Sequence, residues 1–214
     1  MKVFQLLIFS IFSLLKTFDA SKMILIYFTR TGNTGLFADY IKEKLNIKTY
    51  QIIPVVPYPN ILDEVLELAK IERINNTRPE IKDPLKDINE YDIILLGYPI
   101  WHQNLPSIVI NQIEQLNWNG KIIYPFNTYG SLGVANSTND IKNFAKGAVV
   151  KEGFPISDNM IKIKNESMIE IEKWINENFE NHEELLGDDK ELTDNYKMIN
   201  INLLILIMLL IIFI

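Results

Sequence analysis

The sequence contains no cysteine, so it has neither a disulfide framework nor a thiol site. Any redox chemistry therefore needs a bound cofactor. Residues 1–165 are nearly neutral, with 18 basic and 16 acidic side chains, and they show no basic cluster of the kind that binds nucleic acid. The acidity lies further along, because residues 166–195 hold eleven acidic and two basic side chains. These absences exclude disulfide-stabilised domains, thiol chemistry and a nucleic-acid partner.

Two common phosphate-binding motifs are also missing. The segment TRTGNT at residues 29–34 contains one glycine and no lysine, so it does not match the G-x-x-x-x-G-K-[ST] spacing of a nucleoside-triphosphate P-loop. It also lacks the G-x-G-x-x-G spacing of dinucleotide-binding turns. A triphosphate or a dinucleotide is therefore not the expected ligand of this segment.

The same segment joins a strand to a helix in a way that suits a smaller anion. Residues 23–28 form an apolar run typical of a buried parallel strand, and Phe37, Ile41 and Leu45 then share one face of an amphipathic helix. The first backbone N–H groups of this helix and the positive end of its dipole face the turn, where three threonine hydroxyls add donors. We expect a phosphate monoester here. The alternative is an ordinary polar turn with a threonine N-cap.

The rest of the body alternates between strand and helix patterns. Strands are predicted at residues 48–55, 92–97, 121–126 and 148–151, and helices at 61–71, 106–116, 137–145 and 166–179. In the second helix, Ile61, Val65, Leu68 and Ile71 are predicted to share one face. Residues 75–87 are polar, contain prolines and are predicted to form a long surface loop. The alternation predicts a three-layer α/β/α sandwich with a five-stranded parallel sheet.

Ligands of such sheets bind beyond the C-terminal strand ends, so the loops after strands one, three and four form the expected site. The third-strand loop, residues 98–106, carries Trp101, whose large ring is costly to expose to water unless a ligand stacks on it. The fourth-strand loop, residues 127–133, combines Gly130 and Gly133 with hydroxyl groups and allows a flat ligand to approach closely. A planar aromatic ring with a phosphorylated tail would fill this crevice.

Three separated segments resemble the flavodoxin family, namely IYFTRTGNT (26–34), YDIILLGYPIW (91–101) and KIIYPFNTYGSLG (121–133). The resemblance covers residues 21–180 and implies the strand order 2-1-3-4-5 and FMN as the cofactor. It implies that the FMN phosphate is bound by Thr29, Arg30, Thr31, Gly32, Asn33 and Thr34. It implies that the flavin ring is flanked by Pro99, Ile100, Trp101, His102, Thr128, Tyr129, Gly130 and Gly133.

The function implied by the resemblance is that of an electron carrier serving redox partner proteins, which the sequence does not identify. Such a carrier needs no catalytic side chain, because the flavin performs the redox chemistry. The alternative is an FMN-dependent oxidoreductase such as a quinone reductase, although no nicotinamide site is evident. A third alternative is a binding module that has lost its flavin. His102 is either a proton donor beside the ring or a solvent-facing histidine without chemistry.

The two ends of the chain differ from the body. Residues 1–20 contain an apolar stretch of the length found in signal peptides, with cleavage expected after Ala20. Residues 181–200 form an acidic polar spacer, and residues 201–214 form an apolar tail that is short for a membrane span. This pattern is typical of a lipid-anchor attachment signal, with a membrane-inserted tail as the alternative. We therefore expect a secretory-pathway protein attached to a membrane, at the cell surface or on an endomembrane. No oligomeric state is indicated.

Overall fold

The structure is a computed structural model that describes residues 22–130, 137–157, 160 and 164–180. Its strands are β1 (Met23–Tyr27), β2 (Lys48–Gln51), β3 (Ile53–Pro54), β4 (Ile81–Lys82), β5 (Ile93–Pro99), β6 (Ile122–Tyr129), β7 (Val149–Val150) and β8 (Phe154–Ser157). Its helices are α1 (Asn33–Leu45), α2 (Leu62–Ile74), α3 (Ser107–Glu114), α4 (Ser137–Phe144) and α5 (Lys164–Ile175), and a π-helical turn (Asn176–Glu180) follows α5. Strands and helices thus alternate along the chain as predicted.

The main sheet is parallel and has the order β2-β1-β5-β6, with β7 and β8 sharing the position beyond β6. Within β6, Ile122 and Ile123 pair with β7, whereas Phe126–Tyr129 pair with β8. The predicted strand at 148–151 therefore covers only the first part of this position. The chain leaves the sheet after β7 and rejoins it at Phe154. Counted by position, the order 2-1-3-4-5 is confirmed.

Helices cover both faces of the sheet. Side chains alternate along a strand, so Ile24 and Ile26 point to one face and Leu25 to the other. Ile24 and Ile26 belong to a core cluster that includes buried residues of α2, α3 and α4. Helix α1 contacts β1, β5 and β6 and buries Phe37 and Ile41 outside that cluster. It therefore covers the opposite face, and the three-layer α/β/α sandwich is confirmed.

The buried face of α2 differs from the predicted one. Its buried side chains are Val65, Ala69 and Glu72, which follow the i, i+4, i+7 spacing of a helical stripe. Ile61 and Ile71 are 60% and 46% exposed, so the predicted face is wrong. Helical periodicity allowed both stripes, because each passes through Val65 with steps of three or four residues. In the folded protein the buried stripe is the one that ends at Glu72.

The predicted loop at 75–87 contains a short strand. In β4, Ile81 and Lys82 pair antiparallel with Pro54 and Ile53 of β3. The N–H of Val55 extends this ladder by donating to the carbonyl of Glu80 at 2.9 Å. The prediction of an uninterrupted loop is therefore wrong, because a strand of two residues is too short to show an alternating pattern.

The central strands β5 and β6 approach each other closely at Gly97. A Cβ atom added at Gly97 would lie 2.2 Å from Cζ of Phe126, far inside the 3.5–4.0 Å of a favourable carbon–carbon contact. Phe126 is fully buried. The absence of a side chain at Gly97 is thus a packing requirement at the residue directly before the site loop, which begins at residue 98.

Contacts divide the chain into two compact units, Met1–Ile169 and Glu170–Ile214. The first contains both sheets and helices α1–α4. In the second, the rings of Trp174 and Phe179 meet edge to face with centroids 5.4 Å apart. Within the described residues, no helix is both long and apolar enough to cross a membrane. The predicted signal peptide (1–20), spacer (181–200) and apolar tail (201–214) lie outside the described residues, as does Gly133.

Candidate functional site

A crevice of about 490 Å³ opens beyond the C-terminal ends of β1, β5 and β6. This volume lies within the range of roughly 300–1,000 Å³ that is typical of small-molecule pockets. The crevice is lined by Thr29, Arg30, Thr31, Asn33, Thr34, Leu62, Leu66, Pro99, Ile100, Trp101, His102, Gln103, Thr128, Tyr129 and Gly130. The three predicted loops therefore converge on one site, joined by one side of α2.

Twelve of the fourteen residues proposed from the sequence line this crevice. Gly32 instead shapes the turn before α1, and Gly133 lies outside the described residues. The sequence did not indicate Leu62, Leu66 or Gln103, because α2 follows none of the three strands whose loops form the expected site and Gln103 belongs to no motif. For the twelve predicted residues that line the crevice, ligand binding stays a prediction.

The first turn of α1 is available to an anion. Gly32 occupies the N-cap position with a φ of 92°, and no side chain of the described residues caps the helix. The alternative of a threonine N-cap is wrong, because Gly32 is the N-cap and the hydroxyl of Thr29 accepts its hydrogen bond from the N–H of Gly32 at 3.1 Å, before the helix begins. Asn33 and Thr34 begin the helix and line the crevice. The positive end of the helix dipole thus meets the crevice.

We call residues 29–34, the turn before α1 and the start of that helix, the phosphate cradle. Its threonine hydroxyls have different surroundings. Thr34 and Thr128 are buried, and their Oγ1 atoms are 2.8 Å apart, so one hydroxyl donates to the other. This bond links α1 to the end of β6. Thr31 is exposed at the crevice. Thr31 can therefore offer its hydroxyl to a ligand without breaking a bond of the fold.

Arg30 joins the cradle to the loop before α2. Its Nη1 donates to the carbonyl oxygens of Pro59 and Asn60 at 3.2 and 2.9 Å. The guanidinium group belongs to a residue of the crevice wall. It therefore adds positive charge beside the helix terminus while holding two walls together.

Trp101 is covered by side chains of the protein itself. Its side chain is 5% exposed and meets Phe28 and Tyr58 edge to face, with ring centroids 5.5 and 4.8 Å apart. These two rings supply the apolar surroundings that were expected from a ligand. Trp101 still lines the crevice and also borders a second cavity of about 240 Å³. Trp101 therefore borders both cavities.

A tight turn carries His102 at the crevice. Trp101 and Asn104 exchange backbone hydrogen bonds of 3.2 and 3.0 Å, and His102 and Gln103 between them have φ values of 48° and 63°. Positive φ at both central residues is typical of a type I′ turn. Nε2 of the exposed His102 lies 2.9 Å from the carbonyl oxygen of Leu66. If Nε2 carries the hydrogen, it donates to that oxygen and Nδ1 remains an acceptor.

Asp140 anchors the far end of the same loop. Its buried carboxylate accepts hydrogen bonds from both Nη atoms of Arg73, at 3.0 and 2.8 Å, and from the N–H of Leu105 at 3.0 Å. Helix α2, helix α4 and the loop after β5 are thus tied at one point. A bidentate pair of this kind holds geometry more firmly than a single bond.

Behind the crevice, burial raises the pKa of three titratable groups. It raises the pKa of Tyr98 to about 12 and also raises the pKa of the Glu72 carboxyl. The pKa of Tyr58 is raised by burial and by the charge of Glu72. Both phenols are therefore neutral at physiological pH.

A parallel sheet between helical layers, with an uncapped helix terminus and a crevice at its C-terminal edge, defines an α/β protein with the flavodoxin-like fold. The sequence profile of the flavodoxin family matches residues 22–178. The chain therefore belongs to the flavodoxin family.

Solved structures agree with this assignment. A presumed flavoprotein from Bacteroides uniformis is 25% identical, with a TM-score of 0.59 over 69% of this chain and 99% of that chain. One from Bacteroides eggerthii is 28% identical, with a TM-score of 0.58 over 70% and 98%. A flavoprotein from Lactobacillus acidophilus, in complex with FMN, shares the fold at 19% identity, with a TM-score of 0.52 over 68% and 98%. A search of curated proteins finds no match.

Proposed function

We propose that the chain binds FMN in this crevice and serves as an electron carrier. The observation that carries the proposal is the first turn of α1, which no side chain of the described residues caps and which meets a crevice of ligand size. Family membership and the FMN complex of the Lactobacillus acidophilus flavoprotein support the choice of flavin. When bound, FMN would supply the redox chemistry, and the protein would supply binding and electrostatics.

The donors present fit a terminal phosphate. The backbone N–H groups at the start of α1 and the hydroxyl of Thr31 would hold it, with the charge of Arg30 nearby. Pro99, Ile100 and Tyr129 would form the walls that exclude water from the ring. A cradle of this kind should favour FMN over FAD, because the phosphate of FAD carries an adenylate and is not terminal.

The test uses the purified full-length protein. Its visible spectrum is recorded, any extracted cofactor is identified, and FMN, riboflavin and FAD are titrated by flavin fluorescence. Two hydrogen bonds to a charged phosphate, each worth about 1.5–3 kcal/mol, should separate FMN from riboflavin by more than about a hundredfold. A colourless protein that takes up no FMN would refute the proposal.

One observation favours the second candidate, an FMN-dependent oxidoreductase with an apolar substrate such as a quinone. Nine large apolar side chains are exposed among the described residues, and five of them lie between Ile53 and Leu62. Leu62 also lines the crevice, so this apolar stretch continues to its edge. Quinone-dependent consumption of NADH or NADPH at typical enzyme rates, roughly 1–1,000 per second, would favour the enzyme. A carrier would consume either nucleotide negligibly by itself.

We also propose that the protein enters the secretory pathway and is attached to a membrane through residues 201–214. The apolar composition of this tail and the acidic spacer before it support the proposal. Redox proteins at the same membrane would then be the partners.

A further inference from the structure

Helix α2 buries a carboxylate where an aliphatic side chain would cost less. Glu72 completes the buried stripe of Val65 and Ala69 and is only 5% exposed. Ile71 and Ile74 on the same helix are 46% and 73% exposed. Burying a carboxylate is unfavourable unless a partner repays part of the cost. The position of Glu72 therefore calls for an explanation other than core stability.

The partner of Glu72 is a tyrosine that supports the crevice wall. Oε2 of Glu72 accepts a hydrogen bond from the hydroxyl of Tyr58 at 3.1 Å. The Tyr58 ring meets the rings of Phe28 and Trp101, with centroids 5.7 and 4.8 Å apart. Glu72 is thus connected to Trp101 through a single intervening side chain.

Tyr58 depends on such an anchor more than Phe28 does. Phe28 directly follows β1, and its N–H donates to the carbonyl of Gly97 at 2.9 Å, so the sheet fixes its position. Tyr58 lies between Pro57 and Pro59 in a loop outside the strands. Its hydroxyl bond to Glu72 holds the side chain, while Arg30 holds the neighbouring carbonyls.

Trp101 in turn depends on its aromatic neighbours. Its side chain is only 5% exposed although the residue borders the crevice and the second cavity of about 240 Å³, so neighbouring side chains enclose it. Packed neighbours of this kind fix the position of a ring. Its edge contacts with Tyr58 and Phe28 therefore carry much of its orientation.

We propose that Glu72 is a positioning residue for the crevice: it holds the hydroxyl of Tyr58, so that the Tyr58 ring keeps Trp101 in place in the wall. The role rests on the proposed function, because the crevice that Trp101 lines is the one assigned to FMN. Glu72 itself would not touch the ligand.

The test compares variants of the full-length protein by FMN titration. Tyr58→Phe keeps the ring and removes the hydroxyl, and we expect its Kd for FMN to rise about 3- to 10-fold. Glu72→Leu should have the same effect, whereas Glu72→Gln keeps an acceptor oxygen and should bind like the wild type. Tyr50→Phe is the matched control. It also removes one hydroxyl bond, to the carbonyl of Asp83 at 3.1 Å, and should leave the Kd unchanged.

Repeating Tyr58→Phe in a Trp101→Phe background distinguishes positioning of Trp101 from a general effect of Tyr58 on stability. Positioning through Trp101 predicts that the effect on the Kd falls below about twofold there, whereas a general loss of stability would persist. Without flavin, Glu72→Leu, which removes no aromatic ring, should also change the near-ultraviolet circular dichroism of the wild type, and most of this change should be lost in the Trp101→Phe background.

Three results would overturn the role of Glu72. They are a wild-type Kd in Tyr58→Phe, an equal loss in both backgrounds, and a Glu72→Gln variant as impaired as Glu72→Leu. If the wild type binds no FMN, the proposed function fails, yet the flavin-free dichroism still decides whether Tyr58 positions Trp101. An unchanged dichroism spectrum in Glu72→Leu would then refute the positioning role.

Discussion

Thr31 and Thr34 allow the phosphate cradle to be tested without ambiguity about folding. Replacing Thr31 by valine removes an exposed hydroxyl at nearly constant volume. If that hydroxyl donates to the phosphate, its loss costs about 1.5–3 kcal/mol, so the Kd for FMN should rise about 10- to 150-fold. Riboflavin has no phosphate, and its Kd should be unchanged. Flavin fluorescence titrations of both ligands give the comparison.

Thr34→Val should behave differently, because it leaves the buried hydroxyl of Thr128 without its partner at 2.8 Å. An unsatisfied buried polar group costs about 1–3 kcal/mol, which urea unfolding would detect. Thr34→Ser, which keeps the hydroxyl, should recover most of that stability. If Thr31→Val weakens both ligands equally, or neither, the phosphate is not bound by this turn.

Three further predictions test the packing, the electrostatics and the tail. Gly97→Ala should lower the free energy of unfolding by about 1–3 kcal/mol, and adding Phe126→Leu should restore part of it. If the losses of the two single variants simply add in the double variant, as measured by urea unfolding, the clash with Phe126 is contradicted. Because burial raises the pKa of Glu72, its contribution to stability is present below the ordinary glutamate value of 4.5 and is lost as pH rises through the folded-state pKa. The titratable group that faces Glu72 is Tyr58, which is present in both proteins. The unfolding free energy of Glu72→Gln minus that of the wild type should therefore increase from pH 4 to pH 8. A difference that does not change with pH would refute this. Replacing Leu206 and Leu209 by lysine should release the protein from cell membranes, since each charge costs roughly 2.5–3.5 kcal/mol in an inserted helix; retention in the membrane fraction would exclude the anchor.

The main errors of sequence reasoning concern places where two local patterns were equally good. The stripe through Ile61 and Ile71 satisfies helical periodicity as well as the stripe through Ala69 and Glu72 does. Periodicity describes one helix by itself, and it cannot say which face meets the sheet. Glu72 escaped notice for that reason, since a glutamate is normally assigned to the exposed side.

Trp101 shows a second kind of limit. Its place in a loop at the binding edge indicated that only a ligand would cover the ring, yet Phe28 and Tyr58 contact it from segments 73 and 43 residues earlier in the chain. No local pattern in residues 98–106 reports such contacts. The pairing of Thr34 with Thr128 is non-local in the same sense, because it joins residues 94 positions apart.

Local sequence patterns were sufficient to predict the parallel sheet, the two helical layers and the segments that meet at the C-terminal edge of the sheet. Apolar strand runs, a turn with a single glycine and a following amphipathic helix are local signals, and a parallel sheet places the loops after its central strands together. Contacts between distant segments, in contrast, establish which threonine is tied into the fold, which face of α2 is buried and how Trp101 is held. Those outcomes depend on distances between segments far apart in the chain, and local composition does not contain them.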